Sequence, residues 1–395
     1  MSFLVISGAP LALKGQISSD RVVNTLVSAG AIERITLADL GDCIMVARPE
    51  IGLADSRGYR PRVTAEGVIL DGVREWARKL GLGGYNSINI RGEGRLRQVG
   101  QFYWDLSGPS YLLPLRRGHA KNGFLVADVF ADGILDTPAI QFFIRKVQML
   151  RASSNSGDTL PLLVAEGFTG KALTAGHAAG VVLATPANLF GQKVGAAIQS
   201  LVETLKNAAA IAAGNPERLA KLIDELSEIE GAAGNLRGVL FELIAAYLAR
   251  LDAVSVDVGV TARDLDTGKM ADIDVLKVRS KAECMGIECK GKRPGGVVAL
   301  DEVEDWLRRI PTFRAHVAGE QRFREAAISF EIWTTGTFTP DALARLESEK
   351  PKRTKTPISW KDGGQVAEIA KNAKEKTIRE ALYEHFLKHP LSKQV

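Results

Sequence analysis

"ADIDVLKVRSKAECMGIECKGK", residues 271–292, holds two apolar runs on either side of a polar segment that begins at Arg279. That segment is short enough to make ADIDVLKV and MGIECKGK neighbouring antiparallel strands. Side chains alternate along a strand, so Ile273 and Val275 are expected on one face and Asp272 and Asp274 on the other. Ile287 and Cys289 likewise oppose Glu288 and Lys290, and the pairing brings acidic faces together. Two carboxylates held close on a partly buried sheet raise each other's pKa unless a cation offsets them.

A Glu-x-Lys alone is common, and it reads most simply as a salt bridge on an exposed sheet face. Asp274 at hairpin distance changes that reading. Mg2+ prefers oxygen ligands and takes one or two carboxylates, leaving the remaining positions to water and substrate phosphate. Asp274, Glu288 and the main-chain carbonyl of Cys289 supply such a partial shell. Lys290, on the face of Glu288, can hold or deprotonate a bound water and offset charge in a phosphoryl-transfer transition state.

The chain around this pair has 395 residues, 46% hydrophobic and 25% charged, as expected of a folded protein of two or three domains. Its net charge of +5 leans toward a polyanionic partner. Cys43, Cys284 and Cys289 form neither a disulfide framework nor a zinc-ligand spacing, which points to a reducing cytoplasm. The opening MSFLVISGAPLALKG lacks a basic n-region and a sustained apolar core, so no signal peptide is expected. The most apolar helical run, GVLFELIAAYLA, is too short to span a membrane and carries Glu242. The five histidines are scattered and read as structural, and no GxxxxGK[ST] loop is present to hydrolyse ATP.

Residues 1–110 read as an α/β or winged-helix-like region: helices over 19–30 and 64–80 precede a basic hairpin turning at Gly92 to Gly94. Arg91, Arg95 and Arg97 fall on or near that wing, where they could meet phosphates. Residues 111–191 read as an α/β domain with strands over 123–132, 139–150 and 159–168. Residues 192–235 read as a helical linker. Residues 236–372 give helix, three-strand meander, helix, strand, helix and strand, which predicts a mixed sheet with helices on both faces; 373–395 form a terminal helix. LLVAEGFTGKAL (162–173) and EIWTTGTFTPDAL (331–343) each run a strand through an aromatic-Thr pair into a helix, so the middle and last modules are expected to be versions of one fold.

The helix with Glu242, the strand pair with Asp274 and Glu288-Cys289-Lys290, and the helix, strand, helix and strand that follow resemble the PD-(D/E)xK phosphodiesterase superfamily, over about residues 236–362. The resemblance implies a restriction-endonuclease-like fold. It also implies that Asp274 and Glu288 bind catalytic Mg2+, for which Mn2+ substitutes, that Lys290 assists the attacking water, and that Glu242 supports the metal site. No Pro-Asp dipeptide precedes Asp274, which leaves Asp272 as a rival ligand. In the middle module Arg145 and Lys146 lack a glutamate two positions before the lysine, and Asp128, Asp132 and Asp136 lack a Glu-x-Lys partner, so a shared fold would make it an inactive copy. The basic runs KGKRPGG (290–296) and EKPKRTKTP (349–357) make Lys292 and Arg293 candidate contacts to a nucleic-acid backbone.

The implied activity is a metal-dependent DNA endonuclease of restriction or anti-phage defence, with RNA the other substrate class. A homodimer or defence-system proteins are the expected partners. The alternative is a non-catalytic nucleic-acid-binding or interaction subunit of a larger defence complex.

Overall fold

The computed structural model describes residues 19–37, 41–46, 59–84, 86–91, 98–110, 112, 123–152, 158–206, 216–227, 234–264, 270–320, 323, 326–373 and 376–388. The chain divides near residue 202 into two compact units, apart from a short exchange at residues 36–39 and 228–232. Each unit is a mixed α/β body built on its own five-stranded sheet.

Unit 1 begins with helix α1 (Ser19–Ser28) and the strands β1 (Ile32–Leu37) and β2 (Gly41–Val46), which among the described residues pair with each other. Helix α2 (Tyr59–Lys79) leads to the main sheet: β3 (Asn89–Ile90), β4 (Leu106–Ser110), β5 (Gly123–Leu135), β6 (Thr159–Phe168) and β7 (Val182–Ala184), side by side in chain order. The first two pairings are antiparallel and the last two parallel. Parallel neighbours need a crossover, supplied by α3 (Thr137–Ala152) and α4 (Gly170–Ala178). Helices α5 (Pro186–Phe190) and α6 (Gln192–Lys206) follow.

Residues 139–150, expected as a strand, form α3 instead. Ile140, Phe143, Ile144, Val147 and Leu150 are buried at helical spacing, and Asp136 caps the helix by accepting from the Ala139 N–H at 2.9 Å. Its buried stripe packs on the sheet with Trp104 edge-on to Phe143, ring centroids 5.7 Å apart. The boundary expected at residue 110 is absent, because β4 pairs with β5 along its whole length. The helix and hairpin expected to make a separate winged-helix region therefore belong to the sheet of the middle module. The turn at Gly92 to Gly94, with Arg95 and Arg97, lies outside the described residues.

Unit 2 contains α7 (Pro216–Ser227), α8 (Gly234–Arg250) and the meander β8 (Ser255–Arg263), β9 (Met270–Ser280) and β10 (Glu283–Lys290). After β11 (Val297–Val298), α9 (Leu300–Gly319) crosses to β12 (Ala327–Thr334); then come β13 (Thr337–Phe338), α10 (Pro340–Glu349) and β14 (Ile358–Lys361). Helices α11 (Gly363–Asn372) and α12 (Lys376–Leu382) follow. The sheet order is β8-β9-β10-β12-β14, again two antiparallel pairings followed by two parallel ones. The expected strand-helix succession over 236–360 is thus present, with β11 and β13 as a small extra pair. The segment expected as a separate terminal helix packs into unit 2, with Phe386 buried 6.1 Å from Phe241 of α8, centroid to centroid.

Trp306, Ile310 and Phe313 of α9 bury against Ile273, Phe330 and Ile332 of the sheet. Gly286 is needed here: a Cβ would lie 2.8 Å from the Phe330 ring on the neighbouring strand.

Candidate active site

β9 and β10 pair antiparallel up to the rung Val275↔Ile287 and no further. Asp274 and Glu288 are the next residues on each strand. Strict alternation fails in β9 at this point, because Ile273, Leu276 and Val278 all pack in one core cluster, so the side-chain phase slips between 273 and 276. Across β8 the same place is marked by Gly259, at φ 65°, between the rungs Val258↔Val275 and Val260↔Ile273. Where the ladder with β10 ends, a side chain takes over: Asp274 Oδ2 accepts from the Cys289 N–H at 2.7 Å.

Glu288 is only 3% exposed. Its Oε1 accepts from Lys290 Nζ at 2.8 Å and from the Arg309 guanidinium at 2.7 Å. Its Oε2 is buried with no hydrogen-bond partner among the described residues. A simple surface pair would be exposed and satisfied, and this one is neither. Burial pushes the Glu288 carboxyl up, but Lys290 and Arg309 outweigh it and hold the group below its ordinary value. Burial by itself lowers the Lys290 ammonium, while Glu288 and then Asp274 outweigh it and hold it above its ordinary value. Lys290 therefore carries its proton at neutral pH.

Glu242, half-buried on α8, and Asp274 both act on the Cys289 thiol: burial pushes it up first, followed by the Asp274, Glu242 and Glu288 charges. Glu288 and Lys290 thus flank Cys289 on β10, Asp274 accepts from the Cys289 N–H, and the Glu242 charge acts on its thiol. The Asp274 charge also raises the Lys290 ammonium, while Asp272 lies at the Thr261↔Asp272 rung with β8. Lys292, expected on a nucleic-acid backbone, instead pairs with Glu302 of α9 at 2.7 Å, tying the exit of β10 to that helix. Arg293 is exposed and close enough to Arg237 of α8 that, after burial, its charge lowers the Arg237 guanidinium. Arg91 lies in unit 1, donating to Glu66 at 2.6 Å and Asp105 at 3.1 Å, so it is an internal ion-pair partner.

Arg309 is the site residue that strand reasoning missed. It stands on α9 beside the buried stripe of Trp306, Ile310 and Phe313, with its side chain 17% exposed. A basic residue flanking an apolar helical stripe was its one signal in the sequence.

Gly291 fixes the approach of β10 to α8. A Cβ there would lie 2.4 Å from the Arg237 carbonyl oxygen, a backbone atom that cannot turn aside. Gly291→Ala is expected to cost about 1–3 kcal/mol in urea unfolding and to move Lys290 away from Glu288.

The lowered Glu288 carboxyl gives a pH dependence with a definite sign. Its contribution to stability is full above its ordinary value of 4.5 and is lost as pH falls through the lowered folded value. Glu288→Gln is therefore expected to flatten the loss of stability as pH falls below the ordinary carboxyl value of 4.5, read by urea unfolding at a series of pH values.

Among the described residues no three His, Cys, Asp or Glu side chains form a complete metal shell by themselves. Mg2+ needs only one or two carboxylates. The buried unpartnered Glu288 Oε2, on the residue that follows the last rung as Asp274 does on β9, fits that requirement, an oxygen that otherwise costs desolvation with nothing in return. Compared with known proteins, the chain matches no family model, no curated protein and no solved structure.

Proposed function

We propose that unit 2 is a metal-dependent phosphodiesterase that cleaves nucleic acid, with DNA as its substrate and restriction or anti-phage defence as its setting. The observation that carries this reading is Glu288, buried, with one oxygen held by two cations and the other unpartnered, at the point where β9 and β10 part. The succession α8-β8-β9-β10-α9-β12 supports the resemblance to the PD-(D/E)xK superfamily, since it puts the acid of β9 and the Glu-x-Lys of β10 on adjacent strands.

Asp274, Glu288 and the Cys289 carbonyl would hold Mg2+, with Glu242 supporting them. When bound, Mg2+ polarises a phosphoryl oxygen and lowers the pKa of a water. Lys290, held protonated, donates to the attacking water or to a non-bridging phosphate oxygen and offsets charge that develops there. It does not act as the base in this protonation state. Arg309 fixes the Glu288 carboxylate through Oε1, which leaves Oε2 for the cation. Exposed Arg293 is placed to meet the substrate backbone just beyond the strand.

Incubation with supercoiled plasmid, single-stranded DNA and RNA, in Mg2+, Mn2+ or EDTA, tests the reading. Cleavage of DNA in either metal and none in EDTA is expected. Tight binding of nucleic acid without cleavage in any metal would favour the non-catalytic subunit instead.

A further inference from the structure

Unit 1 repeats the connectivity of unit 2 in detail. Both sheets run antiparallel, antiparallel, parallel, parallel, with a helix before the first strand and crossover helices in the same two places. The last antiparallel rung is Leu106↔Ala127 in unit 1 and Val275↔Ile287 in unit 2. Counting on from those rungs, Asp105 faces Asp128 as Asp274 faces Glu288. The same side chain-to-backbone bond closes both places: Asp105 Oδ2 accepts from the Val129 N–H at 3.0 Å, and Asp274 Oδ2 from the Cys289 N–H at 2.7 Å. Lys146 of α3 reaches Asp128 at 2.7 Å, as Arg309 of α9 reaches Glu288 at 2.7 Å, and each basic residue lies nine positions after the first residue of its helix. Farther on, Thr169 and Thr339 precede α4 and α10 in the echo Phe-Thr-x-x-Ala-Leu.

Beyond the exchanges of Asp128 for Glu288 and Lys146 for Arg309, two differences bear on the chemistry. Phe130 stands where Lys290 does, with the Arg62 guanidinium 5.5 Å over its ring. The other lies on the outer strand. Arg91 continues the β3–β4 ladder opposite Asp105, its N–H bonded to the Asp105 carbonyl at 2.7 Å, and this is the register position of Gly259 opposite Asp274. Gly259 puts no side chain beside Asp274. Arg91 puts a guanidinium between Asp105 and Glu66 of α2, and Glu66 stands on the helix before the sheet as Glu242 does on α8.

We propose that unit 1 is a duplicate of unit 2 whose site has become independent of metal, with Arg91 as the built-in cation that holds Glu66 and Asp105 where unit 2 uses a divalent cation. What Arg91 replaces rests on the reading of unit 2 as a metal site; the duplication rests on the registers alone. Lacking both the cation site and a lysine at Phe130, unit 1 does not cleave.

The test is Mn2+ binding, read by electron paramagnetic resonance and by thermal melting, on chains carrying Asp274→Asn to weaken the unit 2 site. Adding Arg91→Gly is expected to add one Mn2+ per chain, to lower the melting temperature in EDTA, and to restore it with Mn2+. Arg91→Lys, which keeps a cation, is expected to stay folded and gain no Mn2+. Unchanged Mn2+ stoichiometry in a folded Arg91→Gly chain would overturn the proposal. So would an Arg91→Gly chain that Mn2+ cannot refold, or an Arg91→Lys chain that does not fold. Because the readout is metal gained by unit 1, a chain that proves to have no nuclease activity leaves this test standing.

Discussion

Lys290→Ala is expected to lower metal-dependent cleavage by about a hundredfold or more while leaving the chain folded. The side chain is 24% exposed, so its truncation opens no sealed cavity, and Arg309 remains on Glu288 Oε1. The loss falls on the step that develops charge at phosphate. Lys290→Arg separates two roles. A cation and donor is partly replaced by a guanidinium, whereas a base is not, because arginine keeps its proton. Since Glu288 and Asp274 hold Lys290 above its ordinary value, Lys290→Arg is expected to retain much more activity than Lys290→Ala. Equal loss in the two variants would return Lys290 to the role of base.

In unit 1 the largest expected effect is on stability. Lys146 is 5% and Asp128 6% exposed, the pair lies 2.7 Å apart, and the ammonium sits 4.1 Å from the Trp104 ring centroid. Lys146→Met leaves Asp128 beside Asp105 without its cation and is expected to cost about 3–5 kcal/mol in urea unfolding followed by tryptophan fluorescence. Burial already raises the Asp128 carboxyl, with Asp105 adding to it and Lys146 opposing. Removing Lys146 raises it further. A carboxyl whose folded pKa lies above its unfolded value loses stability as pH rises through the folded value, so the deficit is expected to shrink as pH falls. Asp128→Asn in the same chain removes the stranded charge and is expected to recover most of the loss. A pH-independent deficit, or no recovery, would place the effect in packing.

The meander was legible because two constraints agree: alternation of period two within ADIDVLKV and GIECKGK, and a connection short enough to force antiparallel neighbours. Those rules brought Asp274 beside Glu288, though not the phase slip at Asp274, which coincides with the positive-φ Gly259 across β8. Ile140 to Leu150 misled because Phe142, Phe143 and Ile144 in succession resemble a buried strand; the helical spacing shows only over the full stretch with its Asp136 cap. With that helix read as a strand, Lys146 could not be seen as the counterpart of Arg309. The correspondence of Arg91 with Gly259 is a matter of sheet register, which no local sequence pattern carries.

Cleavage of supercoiled plasmid over a Mg2+ titration, wild type against Glu288→Gln with both chains verified as folded by circular dichroism, bears most directly on the proposed chemistry. Glutamine keeps the shape of Glu288 and removes the charge that its unpartnered oxygen would offer a cation. The expected result is nicked or linear product from the wild type, rising with Mg2+ and abolished by EDTA, and none from Glu288→Gln at any Mg2+ concentration. Equal cleavage by the two chains, or a wild type indifferent to Mg2+, would contradict the assignment of Glu288 as the metal-holding carboxylate.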